Sequence, residues 1–176
     1  MTLFACLLLA TTVARAGEIW VSIDTGVRIL SVFDGNQVVR SFENISVGRN
    51  GVTAVKMAHD QKTPLGTYHV RRINSASRFH LFFGLDYPTP DQAAIAYQSD
   101  KITAAELAGI YAAHRRGEEP SSNTALGGAI GIHGLGDGDP GIHEDFNWTD
   151  GCVALTNEQV DELAAWIQAG TRVVIR

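Results

Sequence analysis

The pentapeptide Trp148-Thr149-Asp150-Gly151-Cys152 ends on one of only two cysteines in the chain. A thiol attacks a carbonyl as its thiolate, so a cysteine used for chemistry needs a base or a positive dipole beside it. Of the six histidines, His133 is the candidate partner. It closes the apolar run 129–132 and is followed by Gly134, so its ring emerges where a strand ends and a cleft can open. The loop 135–149 is long enough to fold back and bring Cys152 beside it. Gly151 lets the backbone pass closely, and the amides of Gly151 and Cys152 are the candidate donors to an oxyanion. Both side chains also have a plainer reading. Free cysteine is among the most buried residue types, and a histidine at a strand end can simply bond a loop carbonyl.

A scaffold has to carry these residues. With 176 residues and 45% hydrophobic content the chain can bury one core, and its length argues against two domains. The formal charge of −5, without any Lys/Arg-rich run, gives no footprint for nucleic acid. Residues 1–16 read as an export signal: an apolar stretch from Leu3 to Val13, then the small-x-small pattern Ala14-Arg15-Ala16, with cleavage before Gly17. About eleven apolar residues fall short of the roughly 20 that span a bilayer, so no stable membrane span is expected in the mature chain, 17–176. Cleavage removes Cys6 and leaves Cys152 alone. Exported proteins normally use cysteines in pairs, so a single thiol is either inert in the core or kept for its reactivity.

From 18 to 47 the pattern is β: EIWVSID and VRILSVF are rich in β-branched and apolar residues, and Asp34-Gly35-Asn36 marks a hairpin turn. In KTPLGTYHVRRI, Thr63-Pro64-Leu65-Gly66 suits a type I turn, and a strand is predicted over 67–73. In SRFHLFFGLDYP, Phe79, Leu81, Phe83 and Leu85 form an apolar face opposite a mixed face of His80, Phe82 and Gly84. Between 88 and 128 the alanine-rich DQAAIAYQ and TAAELAGIYAAHRR have helical spacing, with Thr103 capping the second, so this segment is predicted as a helical insertion beside the sheet. GGAIGIHG returns to strand character, and LGDGDPGIHEDFN reads as a loop. Thr156 and Gln159 make a capping box for a last helix whose apolar face is Val160, Leu163, Ala164 and Ile167. Gly170 is its expected cap, and TRVVIR a closing strand. The fold class expected is mainly β with helical insertions.

Four separated motifs, KTPLGTYHV, GIHG, TDGCVAL and GTRVVI, occur in that order and resemble the L,D-transpeptidase catalytic domain of the YkuD type, over nearly all of 19–175. The resemblance implies a β-sandwich or barrel-like fold with the cysteine on the floor of a groove. It implies a peptidoglycan enzyme that forms a thioester on stem peptides, with a neighbouring stem or a tethered wall protein supplying the amine. Such an enzyme is exported, and is periplasmic where the host has an outer membrane. Carried over residue by residue, the resemblance makes Cys152 the nucleophile and His133 the general base and proton donor. It makes the backbone carbonyl of Gly134 the group that orients the ring, where other triads use a carboxylate. Gly151 and Cys152 supply oxyanion amides, and Trp148, Thr149 and Asp150 are the substrate-binding candidates. The chemistry requires neither cofactor nor metal.

Two positions depart from the family pattern. Asp150 stands where histidine is usual, and Ala154 where arginine or asparagine is usual. Together with the YP of FGLDYP, these bring the chain toward the YafK-like branch. Two other functions stay open at this level: a hydrolase with the same cysteine chemistry, either an L,D-carboxypeptidase or an amidase that detaches crosslinked products, and a noncatalytic wall-binding module. Trp148 suits a groove wall or a packed core equally well. Asp137 and Asp139 read as a solvated turn, because the later ligands of a calcium loop are missing. No H-E-x-x-H pattern occurs.

Overall fold

The computed structural model describes residues 17–176, and the expected leader, 1–16, lies outside them. Alternating apolar residues set the first strands. β1 (Ile19–Asp24) and β2 (Ile29–Asp34) pair antiparallel, and Val21, Ile23, Leu30 and Val32 are wholly buried on one face. On the other face Trp20 stacks on Phe33 at 4.2 Å. The Gly35-Asn36 hairpin leads to β3 (Gln37–Phe42), as the turn signal predicts.

Short strands β4 (Val52–Thr53) and β5 (Thr63–Pro64) pair in parallel. This differs from the expected type I turn at 63–66. Thr63 and Pro64 are extended against Val52 and Thr53, and the Tyr68 hydroxyl donates to the carbonyls of Pro64 and Leu65. The long β6 (Gly66–Ser77) and β7 (His80–Leu85) follow. Phe83 and Leu85 enter the main core, with Leu81 packed against it, so the apolar face of that strand is where the alternation puts it.

The helical insertion is present as α1 (Pro90–Gln98) and α2 (Ala104–Arg116), and each opens on a complete capping box, Thr89 with Gln92 and Thr103 with Glu106. It has a core of its own, built on Ala93, Ala96, Ile102, Ile110 and Leu126. Gln92 fastens it to the sheet by donating to Tyr68 Oη at 2.7 Å and to the carbonyls of Ala54 and Leu65.

β8 (Gly131–His133) lies antiparallel to β7 and parallel to β9 (Val153–Ala154). Between them the loop contains a short helix, α3 (Pro140–Asp145), that the glycine-rich composition conceals; Asp139 caps it and Pro140 occupies its first turn. α4 (Asn157–Leu163) starts at the expected capping box but stops well before Gly170. Ala165 and Trp166 already make tight i−3 bonds to Glu162 and Leu163. Ala164 is therefore exposed rather than part of the apolar face, while Val160, Leu163 and Ile167 are buried in the core.

β10 (Arg172–Ile175) completes an eight-stranded mixed sheet in the order β3-β2-β1-β10-β6-β7-β8-β9. Just past β3, Ser46 exchanges backbone hydrogen bonds with Ala154 at 2.9 and 2.8 Å. The chain leaving one edge of the sheet thus pairs with the strand at the other edge, which gives the barrel-like closure. Among the described residues no helix is long and apolar enough to cross a membrane.

Candidate active site

Cys152 stands at the entrance to β9. Because Ile132 pairs with Val153 and His133 with Ala154, the side chains of Cys152 and His133 project from the same face of neighbouring strands. The turn before the thiol is fastened from several sides. Thr149 Oγ1 donates to the Cys152 carbonyl at 2.7 Å and accepts from the Gly151 amide at 3.1 Å. The segment after β3 holds the other end, with Thr149 N–H donating to Val47 and Arg49 N–H donating to Thr149. Gly151 has φ +131°, and a Cβ there would meet the Lys62 carbonyl at 2.6 Å, so glycine is required.

His133 is 2% exposed. Its Nδ1–H donates to the Gly134 carbonyl at 2.7 Å, the contact the resemblance implies. This pins the neutral tautomer and leaves the Nε2 lone pair as the basic site. Three rings enclose the imidazole: Phe79 stacked at 4.3 Å, Phe82 at 6.0 Å and Trp148 edge-on at 5.9 Å. Burial draws the imidazole down to about 4, against the Gly134 hydrogen bond that favours its cation, and His143 and Arg78 add repulsion. Burial also pushes the Cys152 thiol up to about 11, while the Gly131 backbone and the Lys56 charge act in the opposite direction and Asp150 opposes ionisation. Both groups are neutral at pH 7. The thiol donates to the Ala129 carbonyl at 3.5 Å, and among the described residues no hydrogen bond joins it to His133. A thiol held neutral in this way can add to a carbonyl only if its proton leaves as the new bond forms.

Cys152 and His133 share an open groove of about 690 Å³, which Trp148, Thr149 and Asp150 also line. A second opening of about 330 Å³, beside Lys56, His59 and Ser122, also has Cys152 in its lining. Trp148 lines the groove partly buried, and its indole N–H donates to His143 Nδ1 at 3.2 Å. Asp150 is exposed and takes a hydrogen bond from Arg49 at 2.9 Å. Two expectations change in detail. The Thr149 hydroxyl is spent on shaping the turn, and the Gly151 amide is bonded to that hydroxyl, so the Cys152 N–H is the amide left for an oxyanion.

The model of the YkuD family, the L,D-transpeptidase catalytic domain, matches residues 16–175. The chain belongs to this family. Solved structures agree with the YkuD fold. Pgp2, the helical cell shape determining protein of Campylobacter jejuni, is 22% identical with a TM-score of 0.61, covering 90% of this chain and 47% of that one. Bd1075 of Bdellovibrio bacteriovorus is 21% identical with a TM-score of 0.55, covering 92% and 48%. The catalytic domain of the Enterococcus faecium L,D-transpeptidase is 12% identical with a TM-score of 0.52, covering 93% and all of that chain. This chain spans about half the length of Pgp2 and Bd1075. No curated protein matches it.

Several parts of this YkuD domain's site escape sequence reasoning. Lys56 is 4% exposed, and its ammonium bonds Asp60 Oδ1 at 2.6 Å and the Asp150 carbonyl at 3.1 Å, directly behind Gly151. Burial alone would raise the Asp60 carboxyl, but hydrogen bonds from Lys56 and from the amides of Lys62 and Met57, with the Lys56 charge, hold it below its ordinary value. Thr63 accepts from Gly48 N–H at 2.8 Å and donates to the Cys152 carbonyl at 3.5 Å, so the KTPLG motif supports the cysteine turn. His143 is buried behind Trp148, and its Nε2 has no partner. A lysine and an aspartate four residues apart were the one available signal for the first pair; nothing local marks the others.

Proposed function

We propose that this chain is a cysteine acyltransferase of peptidoglycan, an L,D-transpeptidase acting on stem peptides. Cys152 Sγ attacks the carbonyl at the L-centre of diaminopimelate while His133 Nε2 takes the thiol proton. The tetrahedral oxyanion is met by the Cys152 N–H, and collapse breaks the C–N bond to the terminal residue, whose amine receives the proton from His133. The resulting thioester is resolved by the amine of a second stem or of a tethered wall protein, with His133 again moving the proton. Gly134 keeps the ring in the tautomer that both transfers need. Trp148 and Asp150 border the path of the peptide. The reading entails export, with residues 1–16 as the leader and the periplasm as the compartment in a host with two membranes.

One observation carries the reading: the one cysteine among the described residues lines two openings, in a groove shared with an imidazole whose Nδ1 is pinned by a carbonyl and whose Nε2 is left free. Two openings suit a reaction with an acyl donor and a separate acceptor. Pgp2, which shares the fold, is described as a cell shape determining protein, which agrees with a role in wall remodelling. The deciding experiment incubates the protein with muropeptides carrying tetrapeptide stems and follows the products by mass spectrometry. Crosslinked dimers identify transfer, and shortened monomers alone identify a hydrolase with the same thioester. Cys152→Ala is expected to lower turnover by at least about 10³-fold with its circular dichroism unchanged. Full activity in that variant would refute Cys152 as the nucleophile, whereas a native protein that leaves the muropeptides unchanged and whose thiol is inert to alkylation would be a noncatalytic wall-binding module instead.

A further inference from the structure

The 88–128 insertion touches one of the residues that line the groove, Arg72, through a single side chain. Glu119, just beyond α2, lies back across β6 and β7, and its Oε2 accepts from Arg72 Nε at 3.1 Å. Its other oxygen, Oε1, is buried without a partner. It fills the space beside Gly84 that a Cβ at that position would occupy. Leaving a carboxylate oxygen unsatisfied is unfavourable by itself, so the arrangement points to what Glu119 does for Arg72.

Arg72 uses only Nε in that pair, and among the described residues neither Nη group has a protein partner. The side chain is 46% exposed and lines the groove that contains Cys152. Its guanidinium lies over the Phe82 ring at 5.1 Å, and Phe82 is nearly parallel to His133, at 11° and 6.0 Å. The ring backs the guanidinium and Glu119 holds its Nε, which leaves both Nη groups without a protein partner among the described residues in a side chain that lines the same groove as His133.

We propose that Arg72 receives a carboxylate of the peptide substrate through its two free Nη groups, and that Glu119 is the positioning residue that holds it ready. This rests on the reading of the groove as a peptide site and deepens it. A guanidinium offers two parallel N–H donors that match a carboxylate, a fork an ammonium lacks. A stem with one residue beyond the scissile bond carries more than one carboxylate, among them one at the D-centre at the far end of the diaminopimelate side chain and one at the free end of that last residue. With consecutive Cα atoms about 3.8 Å apart, the free end lies nearer the reacting carbonyl and is the one we assign to Arg72. Arg72 thereby selects chain ends over internal linkages, and the insertion confers that selectivity.

The test measures binding by calorimetry to the Cys152→Ala protein, which cannot turn the ligand over, with a synthetic tetrapeptide stem as its free acid and as its C-terminal amide. The acid is expected to bind at least about tenfold more tightly. Glu119→Gln keeps the size and removes the charge, and Gly84→Ala displaces the same carboxylate without touching Arg72. Each should narrow the preference to about threefold, and the two together no further, because both break one interaction. Arg72→Lys keeps the charge and should lose the preference equally. Melting curves of each variant establish that it is folded. A parent protein that binds acid and amide alike, or binds neither, overturns the proposal, as does an undiminished preference in folded Glu119→Gln. Preference for the acid in a wild-type protein that converts neither peptide would leave Arg72 its role and refute the enzymatic reading instead.

Discussion

Cys152 sits between two walls built on different physics. On one side His133 is sealed among Phe79, Phe82 and Trp148, and desolvation, with smaller repulsion from His143 and Arg78, keeps its imidazole uncharged at neutral pH. On the other side Lys56 and Asp60 form an ion pair at 2.6 Å in a mostly buried setting, and the backbone supplies the remaining hydrogen bonds. The contrast separates two tasks. In the proposed reaction the aromatic wall tunes the proton acceptor, while the ionic wall holds the backbone that aims the nucleophile, since the Lys56 ammonium grips the carbonyl of Asp150 two residues before the thiol.

Removing the ammonium gives the largest expected effect on stability. Lys56→Met leaves the Asp60 carboxylate short of its cation in a mostly buried setting, and breaking such a pair from one side typically costs 3–5 kcal/mol. Asp60 retains its two amide donors and is 21% exposed along its side chain, so about 3 kcal/mol is expected here, read from urea midpoints. Adding Asp60→Asn to Lys56→Met should recover part of the loss, because no uncompensated charge then remains. A Lys56→Met protein as stable as wild type would show that the ionic wall is dispensable.

Acid should break the aromatic wall first. His133 has a folded-state pKa near 4, below its ordinary 6.5, so the unfolded chain binds the proton more readily across that interval. Its contribution to stability is complete above pH 6.5, falls as pH drops, and is lost below about 4; a shift of this size corresponds to about 3 kcal/mol. His143, lowered by burial and by Arg28, changes in the same direction. Asp60, also held low, loses its contribution only below the ordinary carboxylate value of 3.8. Denaturant melts should therefore show stability falling between pH 6.5 and 4, before the ionic wall responds. His133→Gln, which cannot take up a proton, should flatten that interval substantially, and an unchanged slope would contradict the desolvated imidazole.

The two walls were unequally legible in the sequence. Cys152, His133 and Gly134 stand in a strand-end pattern with local signatures, and strand alternation around Phe83 correctly assigned the core face. The capping residues Thr103 and Thr156 marked two helix starts, because a cap depends on contacts three residues apart. The end of α4 is not legible for the converse reason: the apolar spacing runs on to Ile167, but tight bonds after Leu163 and the docking of Gly170 N–H on the Val70 carbonyl at 2.7 Å are set by tertiary packing. The ionic wall was illegible because Lys56 meets Asp150, and Thr63 meets Cys152, across about ninety residues of chain. Glycine content likewise hid α3, although Asp139-Pro140 is a helix-start signal in its own right.

Trp148 joins the aromatic wall to a polar residue behind it, and it offers the smallest and sharpest test of how dry that wall must be. Its N–H is the donor to His143 Nδ1, which puts the proton of a neutral His143 on Nε2, the nitrogen that has no partner. Trp148→Phe leaves both nitrogens of a buried imidazole unpaired, with an expected loss of about 1 kcal/mol in stability. Turnover on tetrapeptide stems should stay within about threefold, because a phenyl ring can still cover His133 and the proton relay does not pass through the indole. If the hydrogen bond is the reason for the loss, replacing both partners removes the penalty: Trp148→Phe with His143→Leu should regain most of the stability, since neither polar atom is then buried alone. Should the double variant remain as unstable as the single one, packing of the indole rather than its N–H is what seals His133, and the aromatic wall is set by shape alone.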